Sequence, residues 1–307
     1  MTAVSTLEAV GSTPLIELDA VRPPGGARVL AKWEGANPTG SMKDRMAVAI
    51  LRAARERGEL APGQRVAEYT GGSTGSSLAM ACAALDHPVT LLTADCFATE
   101  KIHTMRAFGA DVEVLETPDG RVHPGLIDDW QARLDEVVAE TGAFWTDQLH
   151  NADALDGYAT LGEELLADAP GVTDFVMGVG TGGCAIGTAR ALRAERDVHV
   201  TLLEPAESAY LSTGTGGDHS VEGLAVVEEP PLLDEAHYDE VRAVPEAAAR
   251  EMSRRLAAEE GLFAGTSTGL NVAAAVEVAA EREPGDVVTT VACDTGLKYL
   301  DGDLFAG

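Results

Sequence analysis

Lysine is scarce in this chain of 307 residues, occurring only at Lys32, Lys43, Lys101 and Lys298. Aromatic residues make up 5% against 45% hydrophobic residues in all, so the apolar content is mainly Ala, Val and Leu, beside 33 glycines. That mixture suits helices covering a buried parallel sheet. No apolar run approaches the roughly 18 residues that a membrane-crossing helix needs, so no membrane association is expected. The opening MTAVSTLEAV lacks the basic stretch followed by an apolar one that marks a signal peptide. Cys82, Cys96, Cys184 and Cys293 are scattered, with no CxxC pair and no histidine at ligand spacing. They read as small buried hydrophobes in a reducing cytoplasm, and no metal is expected. Positive charge is in deficit too: 22 Lys plus Arg against 50 Asp plus Glu leave a net charge of −28, which excludes a nucleic-acid partner. The acids are dispersed rather than gathered in a tail. With lysine scarce, that balance points to a halophilic protein of a high-salt cytoplasm.

What is present is an alternation of strand and helix patterns. Strands are expected over 29–34, 65–69, 89–93, 111–115, 144–145, 174–177, 198–203 and 287–292, after a short one near Leu15. Helices are expected over 46–57, 78–85, 100–108, 126–140, 152–166, 185–195, 245–260 and 270–280. Residues 208–231 read as an irregular polar loop. The fold class is therefore α/β, with mostly parallel sheets.

Three stretches carry chemistry. In Asn37-Pro38-Thr39-Gly40-Ser41-Met42-Lys43, proline and glycine make a turn that launches a helix, with Ser41 expected as its N-cap. Lys43 then lies in the first helical turn. There the positive end of the helix dipole opposes its charge, which suits a lysine used as a nucleophile. Thr70-Gly71-Gly72-Ser73-Thr74-Gly75 and Gly178-Val179-Gly180-Thr181-Gly182-Gly183 each follow a strand and open a helix, the arrangement that cradles anions. The second also satisfies GxGxxG, with Glu204 near the place of a ribose-binding acid, so a nicotinamide-dependent dehydrogenase stands as an alternative. Two cradles beside one amine suit a phosphorylated aldehyde cofactor together with an amino-acid carboxylate. The dehydrogenase reading leaves the lysine turn and the first cradle unexplained.

Taken in order with Gly11-Ser12-Thr13-Pro14-Leu15, Gln148, Gly265–Gly269 and Asp294-Thr295-Gly296-Leu297-Lys298-Tyr299-Leu300, these motifs resemble the fold-type II pyridoxal-phosphate enzymes. Within them the resemblance is to the cysteine synthase and cystathionine β-synthase family. It implies two α/β domains with the cofactor in the cleft between them. The smaller would span residues 37–146 and the larger residues 1–36 plus 147–307. It also implies a cytoplasmic homodimer. Lys43 would hold pyridoxal 5'-phosphate as a Schiff base and act as the base at Cα. Gly180, Thr181, Gly182, Gly183 and Cys184 would line the phosphate, Ser73 would lie beside the ring oxygen, and Thr295 would meet the pyridine nitrogen, with Asp294 an adjacent rival. Thr70, Gly71, Thr74, Gln148 and Gly223 would face the substrate.

The chain departs from the family pattern at three places. Ser73 replaces an Asn, Cys184 replaces a Thr, and Glu222-Gly223-Leu224-Ala225-Val226-Val227-Glu228-Glu229 replaces a glycine-rich pocket segment. In that segment Leu224 and Ala225 are expected to line the space beside Cβ, and Glu228 and Glu229 to repel anionic nucleophiles. The implied reaction is synthesis of L-cysteine from an activated, O-acetylserine-like serine and sulfide, by way of an aminoacrylate. Cysteine desulfhydration and a cystathionine β-synthase-type replacement are the alternatives within the family.

Overall fold

Strands buried along nearly their whole length and apolar faces on the helices build two sheets, each with helices packed on it. The computed structural model describes residues 4–118, 125–224 and 229–306. In chain order come β1 (Leu15–Glu17), β2 (Arg28–Trp33), α1 (Lys43–Arg57), β3 (Val66–Tyr69), α2 (Ser73–Leu85) and β4 (Val89–Ala94). Next are α3 (Thr99–Ala107), β5 (Asp111–Leu115), α4 (Leu126–Thr141), β6 (Phe144–Trp145), α5 (Asp153–Asp168), β7 (Asp174–Gly178) and α6 (Gly183–Glu195). The chain continues with β8 (His199–Pro205), α7 (Tyr210–Thr213), β9 (Glu240–Val244), α8 (Glu246–Arg255), α9 (Thr266–Ala280) and β10 (Val287–Ala292). Among the described residues no helix is long and apolar enough to cross a membrane.

The larger sheet has the order β1-β2-β10-β7-β8-β9, parallel except for β1. The smaller has the order β5-β4-β3-β6 and is parallel throughout. Alternate residues of one strand serve opposite faces. On β7, Val176 joins Val272 and Val278 of α9, while Phe175 and Met177 join Tyr158 of α5 and Ala189 of α6. The helix α1 has two apolar faces. Met46 and Ile50 lie in the core under the larger sheet, and Ala47, Leu51 and Ala54 lie in the core under the smaller one. Its first residue, Lys43, is thereby set where the two halves meet.

The structure moves several expected boundaries. Helix α1 begins at Lys43, in keeping with that lysine's place in a first turn, while α2 begins at Ser73, α6 at Gly183 and α9 at Thr266, each earlier than expected. Ser, Thr and Gly are weak helix formers in an interior, so the sequence pattern assigns them to loops. In a first turn the N–H groups have no intrahelical partner, and small residues let the backbone approach its surroundings. Met42, not Ser41, directly precedes α1, although the Ser41 hydroxyl still accepts from the Lys43 N–H at 3.2 Å. The expected helix over 245–260 is α8 followed by a π turn, Leu256–Glu260, closed by Gly261 at φ +67°. Strand β9 was not expected, because Glu240 and Arg242 interrupt its apolar run. In the fold these two pair with each other at 2.9 Å, and Arg242 also meets Glu281.

Candidate active site

The chemistry-bearing loops all leave the carboxyl ends of parallel strands. The lysine turn follows β2, the Thr70 loop follows β3, Gln148 follows β6, the Gly178–Gly182 loop follows β7, and Thr295 follows β10. Crevices at that end are where open parallel sheets take ligands.

The lysine turn is fixed by buried charge. Glu34, wholly buried, accepts from Arg45 at 2.7 and 2.8 Å, from Thr13 Oγ1 at 2.7 Å and from Asn37 Nδ2 at 2.7 Å. Arg45 also reaches Glu164 at 2.7 and 2.9 Å, and Glu164 pairs with the buried Lys32 at 3.0 Å. Burial alone would raise the Glu164 carboxyl, but the Arg45 guanidinium holds it down to about 2. Beyond the turn, Thr39 Oγ1 and Ser77 Oγ donate to the buried Asp44 at 2.5 and 2.6 Å. The segment after β10 clamps the other side, with Met42 N–H on Cys293 O at 2.9 Å and Thr295 N–H on Gly40 O at 3.0 Å. Gly40 is in the left-handed region at φ +74°. Lys43 itself is half-buried, and among the described residues its Nζ has no hydrogen-bond or ion-pair partner.

The Thr70 loop meets Gln148 from the opposite side. Thr74 Oγ1 donates to Gln148 Oε1 at 2.7 Å, and Gln148 Nε2 donates to Tyr69 O at 3.0 Å. Thr70 Oγ1 accepts from the Gly72 N–H at 3.0 Å. Among the described residues, no protein acceptor takes the N–H groups of Gly71, Ser73 or Thr74. A Cβ on Gly71 would lie 2.7 Å from the Phe97 ring, so the backbone can pass there only as glycine.

Across the site, the Gly178–Gly182 loop opens α6. The N–H groups of Gly180, Thr181, Gly182 and Cys184 likewise lack a protein acceptor among the described residues. A Cβ on Gly180 would meet Gly223 O at 2.3 Å, which packs this loop against Glu222–Leu224. Asn271, buried on α9, accepts from Gly178 N–H at 2.8 Å and donates to Val291 O at 2.8 Å, tying β7 to β10. Burial pushes the Cys184 thiol up and the Cys293 thiol up to about 12, and the Lys43 ammonium opposes both shifts.

After β10, Thr295 and Asp294 diverge. The Thr295 hydroxyl accepts from Leu297 N–H at 3.3 Å and retains its own proton to donate. Asp294 is buried and its Oδ2 accepts from Tyr299 OH at 2.8 Å, while Oδ1 has no partner among the described residues; burial raises its carboxyl. Lys298, one turn on, donates to Ser73 Oγ at 3.3 Å across the gap between the two halves. Lys101 of α3 is buried, pairs with Glu222, and lies 5.1 Å from the centre of the Tyr299 ring.

Lys43, the Thr70–Thr74 loop, Gln148, the Gly180–Cys184 loop and Thr295 thus border one region. Two expected residues stand elsewhere. Leu224 is buried in the core, with its Cδ atoms 3.0 and 3.1 Å from where a Cβ on Gly178 would stand, and does not line the site. Glu204 is wholly buried, with its oxygens turned to the N–H groups of Leu211 and Ser212 at 2.6 and 3.0 Å, so it does not face a ribose site. Ala225, Val226, Val227 and Glu228 lie outside the described residues, and Glu229 is exposed. Sequence reasoning did not assign Lys101, Lys298 or the buried carboxylates Glu34, Asp44 and Glu68. For Glu68 the local signal is a charge set among apolar neighbours, Val66-Ala67-Glu68-Tyr69.

Comparison with known proteins agrees with this arrangement. Residues 6–294 match the family model described as pyridoxal-phosphate dependent enzyme. The chain is 36% identical to the O-ureido-L-serine synthase of Streptomyces lavendulae over 307 residues, covering 99% of this chain and 93% of that protein. It is 36% identical to a probable cysteine synthase of Bacillus subtilis (strain 168), covering 98% of this chain and 97% of that protein. A crystal structure of O-ureido-L-serine synthase superposes with a TM-score of 0.93 at 34% identity, covering 100% of this chain and 96% of that one.

Proposed function

The chain belongs to the pyridoxal-phosphate dependent enzyme family, and on that premise we propose that it makes L-cysteine by β-replacement, from an O-acetylserine-like activated serine and sulfide. It is an enzyme of the cysteine synthase type that uses pyridoxal 5'-phosphate. The observation that carries the proposal is that Lys43 Nζ, without a partner among the described residues, stands between two loops whose N–H groups likewise lack a protein acceptor there, one of them joined to Gln148. These residues fit the cofactor. Gly180–Cys184 offers main-chain donors at a helix N-terminus for a phosphate. Thr295 offers a neutral hydroxyl for the ring nitrogen, and Asp294, which gives one oxygen to Tyr299 and has Oδ1 without a partner among the described residues, is its rival there.

When bound, pyridoxal phosphate supplies the electron sink that lets a proton leave Cα and a substituent leave Cβ. In this reading Lys43 anchors it covalently and then, released, moves the Cα proton. Thr70, Gly71, Thr74 and Gln148 hold the amino acid's carboxylate and so orient its Cα–H toward Lys43. Ser73, whose hydroxyl accepts from Lys298, would lie beside the ring oxygen. Gly223, with φ +83°, shapes the wall against Gly180 on the side where the second substrate enters. The proposal extends to a cytoplasmic homodimer whose domains span 37–146 and 1–36 plus 147–307.

A second reading has a specific basis. The 36% identity to O-ureido-L-serine synthase equals that to the cysteine synthase, and an O-substituted serine requires an oxygen nucleophile at Cβ instead of sulfide. Product analysis separates the readings. Purified enzyme given O-acetylserine and sulfide should form cysteine, with homocysteine a poor substitute for sulfide and Lys43→Ala inactive. Oxygen nucleophiles outcompeting sulfide would favour the second reading. Net conversion of cysteine to pyruvate, ammonia and sulfide would make the enzyme a desulfhydrase. No turnover of O-acetylserine, O-phosphoserine, serine or cysteine would overturn the proposed reaction.

A further inference from the structure

Glu68 is a wholly buried carboxylate that the proposed chemistry leaves unused. It stands near the end of β3, two residues before Thr70. Its Oε2 accepts from Thr146 Oγ1 at 2.6 Å and from Gln148 N–H at 3.0 Å. Its Oε1 accepts from Tyr69 N–H at 3.0 Å and from Trp145 Nε1 at 3.3 Å. Four donors therefore converge on one carboxylate, and three of them belong to residues 145–148. The segment's other ties include the short β3–β6 pairing, Thr146 N–H on Ala67 O at 3.3 Å and Asn151 Nδ2 on Thr146 O at 2.9 Å, and none of these reaches the Gln148 N–H. Strand β6 has only two residues, and Asp147 just beyond it is a non-glycine residue in the left-handed region at φ +46°. Gln148 is turned back by this bend, so that its side chain spans Tyr69 O and Thr74 Oγ1.

We propose that Glu68 is a positioning residue for the amino-acid substrate: ionised, it fixes the Gln148 segment against the Thr70–Thr74 loop, and the substrate carboxylate binds weakly when it is protonated. This rests on the reading that Thr70, Gly71, Thr74 and Gln148 hold that carboxylate. The donor set matches an ionised carboxylate, which only accepts. A protonated one would turn an O–H toward groups that also donate. Removing one acceptor from a buried donor is costly, and the Gln148 N–H and Thr146 hydroxyl are the groups exposed to that loss.

Burial pushes the Glu68 carboxyl up to about 7 against the lowering effect of its four hydrogen bonds. The groups acting on it are neutral. The sequences of β4, β6 and α2 contain no charged residue, and α4 turns Leu126, Trp130, Leu134 and Val137 inward. Asp147 and His150, the ionisable residues of the neighbouring loop, pair with each other at 2.8 Å. Comparing a Glu68 variant with wild type at each pH cancels what this pair contributes and leaves the part due to Glu68.

The test is the dissociation constant of L-alanine, an amino acid with no leaving group, followed by the holoenzyme's visible absorbance across pH. Glu68→Gln should weaken binding roughly tenfold at high pH. The ratio of variant to wild-type constants should fall toward one as pH drops through 7, because wild-type Glu68 then becomes neutral as well. Thr146→Val removes a donor to the ionised form and should move that midpoint upward; it decides the matter with wild type alone if Glu68→Gln does not fold. A ratio independent of pH, as a merely structural role would give, overturns the inference, as does unchanged affinity in Glu68→Gln. Failure of wild type to bind any amino acid would instead strike the reading of the carboxylate cradle beneath it.

Discussion

The main-chain N–H of Thr295 donates to Gly40 O at 3.0 Å, and Thr295 Cγ2 lies 2.7 Å from where a Cβ on Gly40 would stand. The turn before Lys43 and the residue proposed for the ring nitrogen are therefore one contact, set by a glycine at φ +74°. Gly40→Ala strains the backbone by about 1–2 kcal/mol and also pushes Thr295 away. The expected result is a lower melting temperature together with less cofactor bound per chain, read from visible absorbance. A drop in melting temperature with full cofactor occupancy would separate the two halves of this argument.

Removing Arg45 tests the buried network. Arg45→Met leaves Glu34 buried with only Thr13 and Asn37 as partners, and breaking such a pair costs about 3–5 kcal/mol. The variant should shift the urea midpoint accordingly. Replacing both partners, Glu34→Gln with Arg45→Met, should recover part of the loss, because no uncompensated charge then remains.

Glu164 predicts the acid limb of stability. Its carboxyl is held down to about 2 from an ordinary value of 4.5. A depressed carboxyl contributes stability that is full above 4.5 and lost as pH falls from there through about 2. Glu164→Gln should therefore flatten the fall in melting temperature over that window. Glu68 acts with the opposite sign. Raised to about 7, it favours the fold below the usual carboxylate range and loses that contribution as pH rises through 7.

Surface charge gives a salt prediction. With −28 overall, none of the four lysines is exposed: Lys32 and Lys101 are buried, and Lys43 and Lys298 half-buried. Arginine thus supplies what basic charge the surface has from these two residue types. We expect molar KCl to raise the melting temperature, with gains continuing above about 1 M, where screening already acts within about 3 Å. A flat or falling melting temperature across that range would mark an ordinary acidic protein.

The order of strands and helices, the two glycine loops and the lysine turn could be read from the sequence because each depends on residues near one another in the chain. Periodicity of apolar residues sets strand or helix within a few turns, and Gly and Pro set the breaks. The positions where α2, α6 and α9 begin could not be read that way, since Ser73, Gly183 and Thr266 join helices only where the surrounding fold accepts their small side chains. Strand β9 depended on Glu240 finding Arg242, and on β8 as a neighbour. Leu224 reads locally as a pocket residue and becomes core because the fold gathers it into one buried cluster with residues of other elements, Val176 and Leu270 among them.

Several partners of charged residues were decided by tertiary structure. Lys298 meets Ser73 across 225 residues of sequence and Glu68 meets Gln148 across 80. Composition determined that the chain is acidic and short of lysine, and local pattern determined that Lys43 begins a helix beside glycine-rich loops. Which carboxylates would be buried, and which donors would converge on them, depended on how two sheets share α1. A side chain's hydrogen bonds and desolvation are properties of its neighbours in space, and those neighbours are brought in from distant parts of the chain.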